Sequence, residues 1–222
     1  ILAFAVPGPL EEVPEDPFSV RLVQTNIDLD QSWLPQDRDE LLDELHRVST
    51  QGGFEPDLVV WPENPGFFQL EPESFFMRRA RSIAQELKAH FLVGYVDSID
   101  GVFSNSAGLL SPSGDQISRY DKIHLVPFGE YVPLQNLLFF AEPLVRAVGD
   151  FTPGSEFTMN PLDGHNFAIT ICYEDVFPGL MRKFTVEGAE VIVNITNDGW
   201  FGETSAPYQH LRMSTVRAAE NR

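Results

Sequence analysis

The sequence predicts an α/β domain built on mixed sheets. Segments whose apolar residues recur at helical spacing alternate with short apolar runs of strand length. Those runs are apolar on both sides of the pleat, as in sheets covered on both faces. A third observation makes the sheet mixed: runs 102–110 and 116–120 are joined by Ser111-Pro112-Ser113-Gly114, which reads as a hairpin. With 222 residues, 43% hydrophobic and 22% charged, the chain is one large domain or two small ones, with ample length for a core.

Residues 1–6 are an apolar stub, too few to span a bilayer, which takes about 20 residues. Residues 7–17 read as an acidic, Pro-rich linker, exposed and extended. A first strand is expected at 19–25, with Val20 and Leu22 on one face, and then a loop carrying Trp33. Leu41, Leu42, Leu45 and Val48 make one stripe of a helix over 37–48, with acids in its first turn to suit the dipole and Gly52-Gly53 at its end. The run Leu58-Val59-Val60-Trp61 is a buried strand broken by Pro62-Glu63-Asn64-Pro65. A second helix is expected over 74–90, with Ser74 as N-cap, followed by a strand at 91–96 and the hairpin.

Residues 121–133 are irregular and dense in functional side chains, and 134–148 are strongly apolar. The run Phe167 to Ile171 is a buried strand with Cys172 as its last residue, between Gly164 and Pro178-Gly179. A short helix at 180–187, a fully apolar strand at 191–195, a polar-aromatic loop at 196–207 and a helix at 208–220 complete the order. Ile1 is not a Met and the chain stops just after a helical pattern, so a fragment cut at both ends is expected.

The net charge of −18, with no basic stripe, disfavours nucleic acid, whose phosphates demand clustered Lys and Arg. The acidity fits simple solubility, or a domain outside the cytoplasm, where membrane-flanking segments are poor in Lys and Arg. One cysteine permits no intrachain disulfide. His46 and His90 fall on expected helices and His165 in a turn, and no His/Cys/Asp spacing resembles a metal set. No Gly-rich phosphate loop occurs, so neither metal nor cofactor is expected.

Three strands end on a reactive group: Glu63, Lys122 and Cys172. Strand ends line the ligand crevice of open α/β sheets. A thiol needs a base to become a nucleophile, and Glu63 would take its proton. Lys122, with a backbone N–H after Cys172, would stabilise the negative oxygen of a tetrahedral intermediate. Taken singly, each has a plainer account. Cys172 is a small buried hydrophobe, Glu63 a turn acid, Lys122 a surface cation.

Trp61-Pro62-Glu63, Tyr120-Asp121-Lys122-Ile123-His124-Leu125 and Ile171-Cys172-Tyr173-Glu174 resemble, in order, three signatures of the carbon–nitrogen hydrolase (nitrilase) superfamily. The resemblance implies a nitrilase-like αββα four-layer sandwich over 18–222, truncated at its C-terminal end. It also implies a Glu63-Lys122-Cys172 triad, with Glu130 holding Lys122 and Tyr173 and Glu174 in support. For Glu174, capping of a neighbouring backbone stays open beside a direct chemical role.

The stretches His124 to Pro133 and Asn197-Asp198-Gly199-Trp200-Phe201-Gly202, then Ala206-Pro207 and Gln209-His210, resemble the apolipoprotein N-acyltransferase branch, as does the placing of Trp33. That branch implies a phospholipid acyl donor, an apolipoprotein acceptor and a periplasm-facing domain. Membrane helices absent from this chain would hold it in the bacterial inner membrane. Trp33, Phe67, Phe68, Trp200 and the run 134–140 would then line an acyl-chain entrance, against ordinary core packing as the plainer account. A soluble amidase using the same thioester and a non-catalytic binding domain are the competing readings.

Overall fold

The structure is a computed structural model and describes residues 18–24, 26, 38–65, 75–99, 101–133, 151–162 and 164–221. The stub and linker (1–17), Trp33, Phe67, Phe68, the Ser74 cap and the apolar run 134–148 lie outside the described residues.

Two sheets lie at the centre. The first runs β1 (Val20–Leu22), β2 (Leu58–Val60), β3 (His90–Ile99), β4 (Val102–Leu110) and β5 (Gln116–Asp121), in that order across the sheet. Strands β1, β2 and β3 are parallel, while β3, β4 and β5 pair antiparallel. Helices α1 (Arg38–Thr50) and α2 (Phe75–Leu87) sit in the two parallel crossovers. The second sheet has β7 (His165–Ile171) between β6 (Met159–Leu162), which is antiparallel to it, and β8 (Val191–Ile195), which is parallel. Helix α3 (Pro178–Val186) connects β7 to β8, and α4 (Ala206–Asn221) follows.

Strand alternation divides the interior in two. Val59, Trp61, Phe91 and Val93 face α1 and α2, whose Leu41, Leu42, Leu45, Phe76, Met77, Ala80 and Ile83 cover them. Leu58, Val60, Leu92, Ala107 and Leu109 face the other way, onto Phe167, Ile169 and Ile171 of β7. Leu180, Met181 and Phe184 of α3 extend this second core. The result is the expected helix–sheet–sheet–helix layering.

Several expectations need correction. Val20 and Leu22 share a face of β1, but it is the exposed one; Arg21 is buried instead, donating to the carbonyls of Ser49 and Phe54, each at 2.6 Å. A guanidinium with such partners takes an inward position that periodicity assigns to an apolar residue. Helix α2 stops at Leu87, and His90 opens β3 rather than ending the helix; Lys88, at φ 51°, makes the turn between them. His165 likewise begins β7. Strand β8, apolar in sequence, buries only Ile195. Strand β6 has no counterpart in the sequence reading, because it is four residues long and contains Pro161. Cys172 is not the last residue of β7 but the first of a 3-10 turn, Cys172–Val176.

One packing constraint reaches the site. The N–H of Gly154 donates to the carbonyl of Lys122 at 2.8 Å, and a Cβ on Gly154 would stand 2.2 Å from the carbonyl oxygen of Asp121. Gly154→Ala should therefore displace the segment carrying Lys122 and cost about 1–3 kcal/mol, the usual penalty of overpacking. Gly53→Ala is the control: its Cβ meets nothing within 4 Å, and its stability should stay within about 0.5 kcal/mol of the parent. Denaturant unfolding of both variants checks this, and equal midpoints would contradict it.

Candidate active site

The turn after β2 carries Glu63 inward, leaving it 7% exposed. Its Oε1 accepts from Asn105 Nδ2 at 2.8 Å, and its Oε2 accepts from the backbone N–H of Asn197 at 3.0 Å. Lys122 leaves the end of β5, its own N–H held by the Asn105 carbonyl at 2.8 Å, and its side chain is 1% exposed. The ammonium donates to Glu130 Oε1 at 2.9 Å and lies 3.7 Å from Glu63 Oε1. Glu130 is fixed in turn by Asn105 Nδ2 at 2.7 Å and by the Val126 N–H at 2.8 Å. Burial pulls the Lys122 pKa down, but the carboxylates of Glu63 and Glu130, with Cys172, outweigh it and hold the group above its ordinary value. The lysine is a buried, charged donor.

Cys172 has φ 54°, in the left-handed region that non-glycine residues rarely enter. Its carbonyl is anchored by Asn194 Nδ2 and His210 Nε2, each at 3.2 Å. Burial, then the nearby Glu63 carboxylate, pushes the thiol up to about 12, against the pull of Lys122 and hydrogen bonds with Thr196 and the Tyr173 N–H. The resting sulfur is therefore a protonated thiol beside a carboxylate and an ammonium. Such a group could attack a carbonyl only if its proton were taken as the bond formed, and a buried ammonium nearby is the kind of donor that could stabilise the oxygen that turns negative.

The profile of the family described as carbon-nitrogen hydrolase matches residues 19–222. This chain belongs to the carbon–nitrogen hydrolase family. It is 44% identical to the apolipoprotein N-acyltransferase of Geobacter metallireducens, over 95% of this chain and 42% of that protein. Identity to the apolipoprotein N-acyltransferase of Agrobacterium fabrum is 36%, over 94% of this chain and 42% of that one. The chain thus spans less than half the length of these curated relatives. Among solved structures, an amidase from Nesterenkonia sp. superposes with a TM-score of 0.62 at 22% identity, covering 93% of this chain and 74% of that one. A carbon-nitrogen hydrolase from Helicobacter pylori G27 gives 0.61 at 17% identity, covering 83% of this chain and 65% of that one. These likenesses establish the shared fold.

Around this hydrolase-family centre, the remaining candidates fall into two groups. Glu174 is fully buried and spent on structure. It accepts from the N–H groups of Ile123, His124 and Ile171 at 2.7, 3.0 and 2.8 Å, and from the Tyr120 hydroxyl at 2.9 Å. Burial raises its pKa despite those donors. Of the two readings left open by the sequence, these contacts match the capping one: Glu174 ties the chain after β5 to the end of β7. Tyr173 is 41% exposed and meets Phe177 edge-on at 5.6 Å, while His124 stacks on Phe177 at 4.2 Å. Trp200 is exposed on a second 3-10 turn, Asp198–Phe201. Trp33, Phe67, Phe68 and 134–140 cannot be placed against the site, since they lie outside the described residues.

Asn105 escapes sequence reasoning. It joins Glu63, Glu130 and Lys122 from the middle of β4, yet stands 42 residues from the first. The available signal is weak: an amide between two serines in the middle of a largely buried strand. Among the described residues, no group of three His, Cys, Asp or Glu side chains could hold a metal ion.

The raised thiol gives a direct measurement. Alkylation of Cys172 by iodoacetamide should climb about tenfold per pH unit between pH 7 and 10, without levelling near the ordinary cysteine value of about 8.5. Lys122→Met removes the cation that pulls the thiol down, so alkylation should slow throughout that range. A plateau near pH 8.5, or faster alkylation in Lys122→Met, would contradict the electrostatics described.

Proposed function

We propose that this chain is the catalytic part of an N-acyltransferase that matures lipoproteins, working through a thioester on Cys172. The observation that carries the reading is the buried Lys122 ammonium between Glu63 and Glu130, beside a thiol at a strained strand end. The similarity to apolipoprotein N-acyltransferases supports the choice of acceptor.

In this mechanism Cys172 Sγ attacks the ester carbonyl carbon of a membrane phospholipid as Glu63 takes the thiol proton. The carbonyl oxygen becomes an oxyanion facing Lys122 and the Tyr173 N–H. Collapse breaks the ester C–O bond, the lysophospholipid alkoxide takes the proton back from Glu63, and the acyl chain remains on sulfur. The N-terminal amine of a diacylglyceryl-cysteine then attacks the thioester and loses a proton to Glu63. The C–S bond breaks, the sulfur regains that proton and the amide departs. Glu130 keeps Lys122 charged, since a buried lysine alone tends toward the neutral amine.

No helix among the described residues is long and apolar enough to cross a membrane. The relatives are more than twice as long as this chain, so membrane attachment belongs, in this reading, to other parts of the whole protein. The catalytic domain, residues 18–222, would face the periplasm of a bacterial cell from the inner membrane. Phe67, Phe68 and the apolar run 134–140 would, in this reading, shield the thioester from water until the amine arrives.

The test is reconstitution of the full-length protein in phospholipid vesicles with a diacylglyceryl-cysteine peptide. Peptide N-acylation and lysophospholipid release should appear together, and an acyl adduct should be found on Cys172 by mass. Cys172→Ala should abolish all three, and Glu63→Gln should slow acyl-enzyme formation by about 10²–10⁴, the usual worth of a general base. Hydrolysis of small soluble amides without acyl transfer would replace this reading with an amidase.

A further inference from the structure

The ring of His210, on α4, lies between two turns that both serve the site. Its Nδ1 is 2.8 Å from Asp198 Oδ1, and its Nε2 is 3.0 Å from Asp175 Oδ1 and 3.2 Å from the Cys172 carbonyl. Every partner is an acceptor. A neutral imidazole has one N–H and satisfies one side only, whereas an imidazolium donates on both. The side chain is 10% exposed, so neither side is left to bulk water. The two carboxylates raise the ring's pKa to about 10.

The two turns do different work. Cys172–Val176 carries the nucleophile and Asp175, which also accepts from Ser214 of α4. The chain around Asp198 carries the Asn197 N–H, which holds Glu63 Oε2 at 3.0 Å, and Thr196, which bonds both Asp198 Oδ1 and the Cys172 thiol. A rigid strut between these turns therefore sets where the carboxylate sits relative to the sulfur.

We infer that protonated His210 is a positioning residue, a doubly donating clamp that fastens the Thr196–Asp198 segment to the Cys172 turn and so aligns Glu63 with Sγ. This rests on the assignment of Glu63 as base made above, and not on the identity of acyl donor or acceptor.

The experiment uses a p-nitrophenyl ester, whose p-nitrophenol burst reports acylation of Cys172 without any lipid specificity. In the full-length protein, His210→Gln should slow the burst about tenfold. In a Glu63→Gln background the same change should slow it less than twofold, because a residue acting through Glu63 has nothing left to align. At pH 8, NMR should show N–H protons on both ring nitrogens of His210 in the parent protein. Equal slowing in both backgrounds marks general loosening and overturns the inference. So does an unchanged burst in His210→Gln, or a singly protonated ring at pH 8. Failure of the underlying reading has its own signature: Glu63→Gln then reacts at the parent rate, which removes the base and, with it, the link from His210 to the base.

Discussion

The site depends on an ammonium that has almost no contact with water. Removing a cation from solvent is costly, and the attraction of one partner rarely repays it in full. Here Lys122 has two carboxylates, at 2.9 and 3.7 Å. Ionised together, the three groups carry one surplus negative charge. Burial above all, and then the Glu63 carboxylate, keep the sulfur protonated against the pull of Lys122. Glu63, one of the two carboxylates that keep Lys122 charged, is also the one that opposes ionisation of Cys172. In the proposed mechanism an anionic intermediate would change the balance: with the thiol proton on Glu63, the oxyanion would replace that carboxylate as the second partner of the ammonium.

Asn105 makes this arrangement geometrically possible. Two carboxylates sharing a lysine would repel one another apart, but one side-chain amide donates a hydrogen to each. Its backbone carbonyl holds the Lys122 N–H as well, so one strand residue fixes all three groups. Glu174 does comparable work beside Cys172, gathering N–H groups from the chain after β5 and from the end of β7 onto one buried carboxylate. The positive φ of Cys172 persists because its carbonyl is pinned from two directions.

Much of this was legible because local rules and global packing agree. Alternation of helix-period and strand-period segments gives the layers, and the run Leu58 to Trp61, apolar at every position, does face a core on each side. Glu63, Lys122 and Cys172 are read as reactive groups at the ends of strands, and the structure places each just beyond one, with Cys172 opening a turn rather than ending β7. What stayed hidden depends on contacts between residues far apart. Arg21 turns inward because two carbonyls about 30 residues away accept from it. The resemblance brings His210 near the site, but nothing in the sequence shows Asp175 and Asp198 on either side of its ring. Strand β6 pairs only because β7 is already there, and its Pro161 argues against it locally.

The proposed base and the proposed nucleophile belong to different sheets. Glu63 and Lys122 hang from the first sheet and Cys172 from the second, so their separation is set by the thickness of the side chains stacked between. Leu92, Ala107 and Leu109 on one side, and Phe167, Ile169 and Ile171 on the other, thereby act as a spacer gauge for the chemistry. A methylene lost or gained there shifts one sheet against the other by a fraction of an ångström. Proton transfer from sulfur to carboxylate tolerates little such drift. Residues that never meet a substrate, and would ordinarily be read as filling alone, thus come under selection for reactivity as well as for stability.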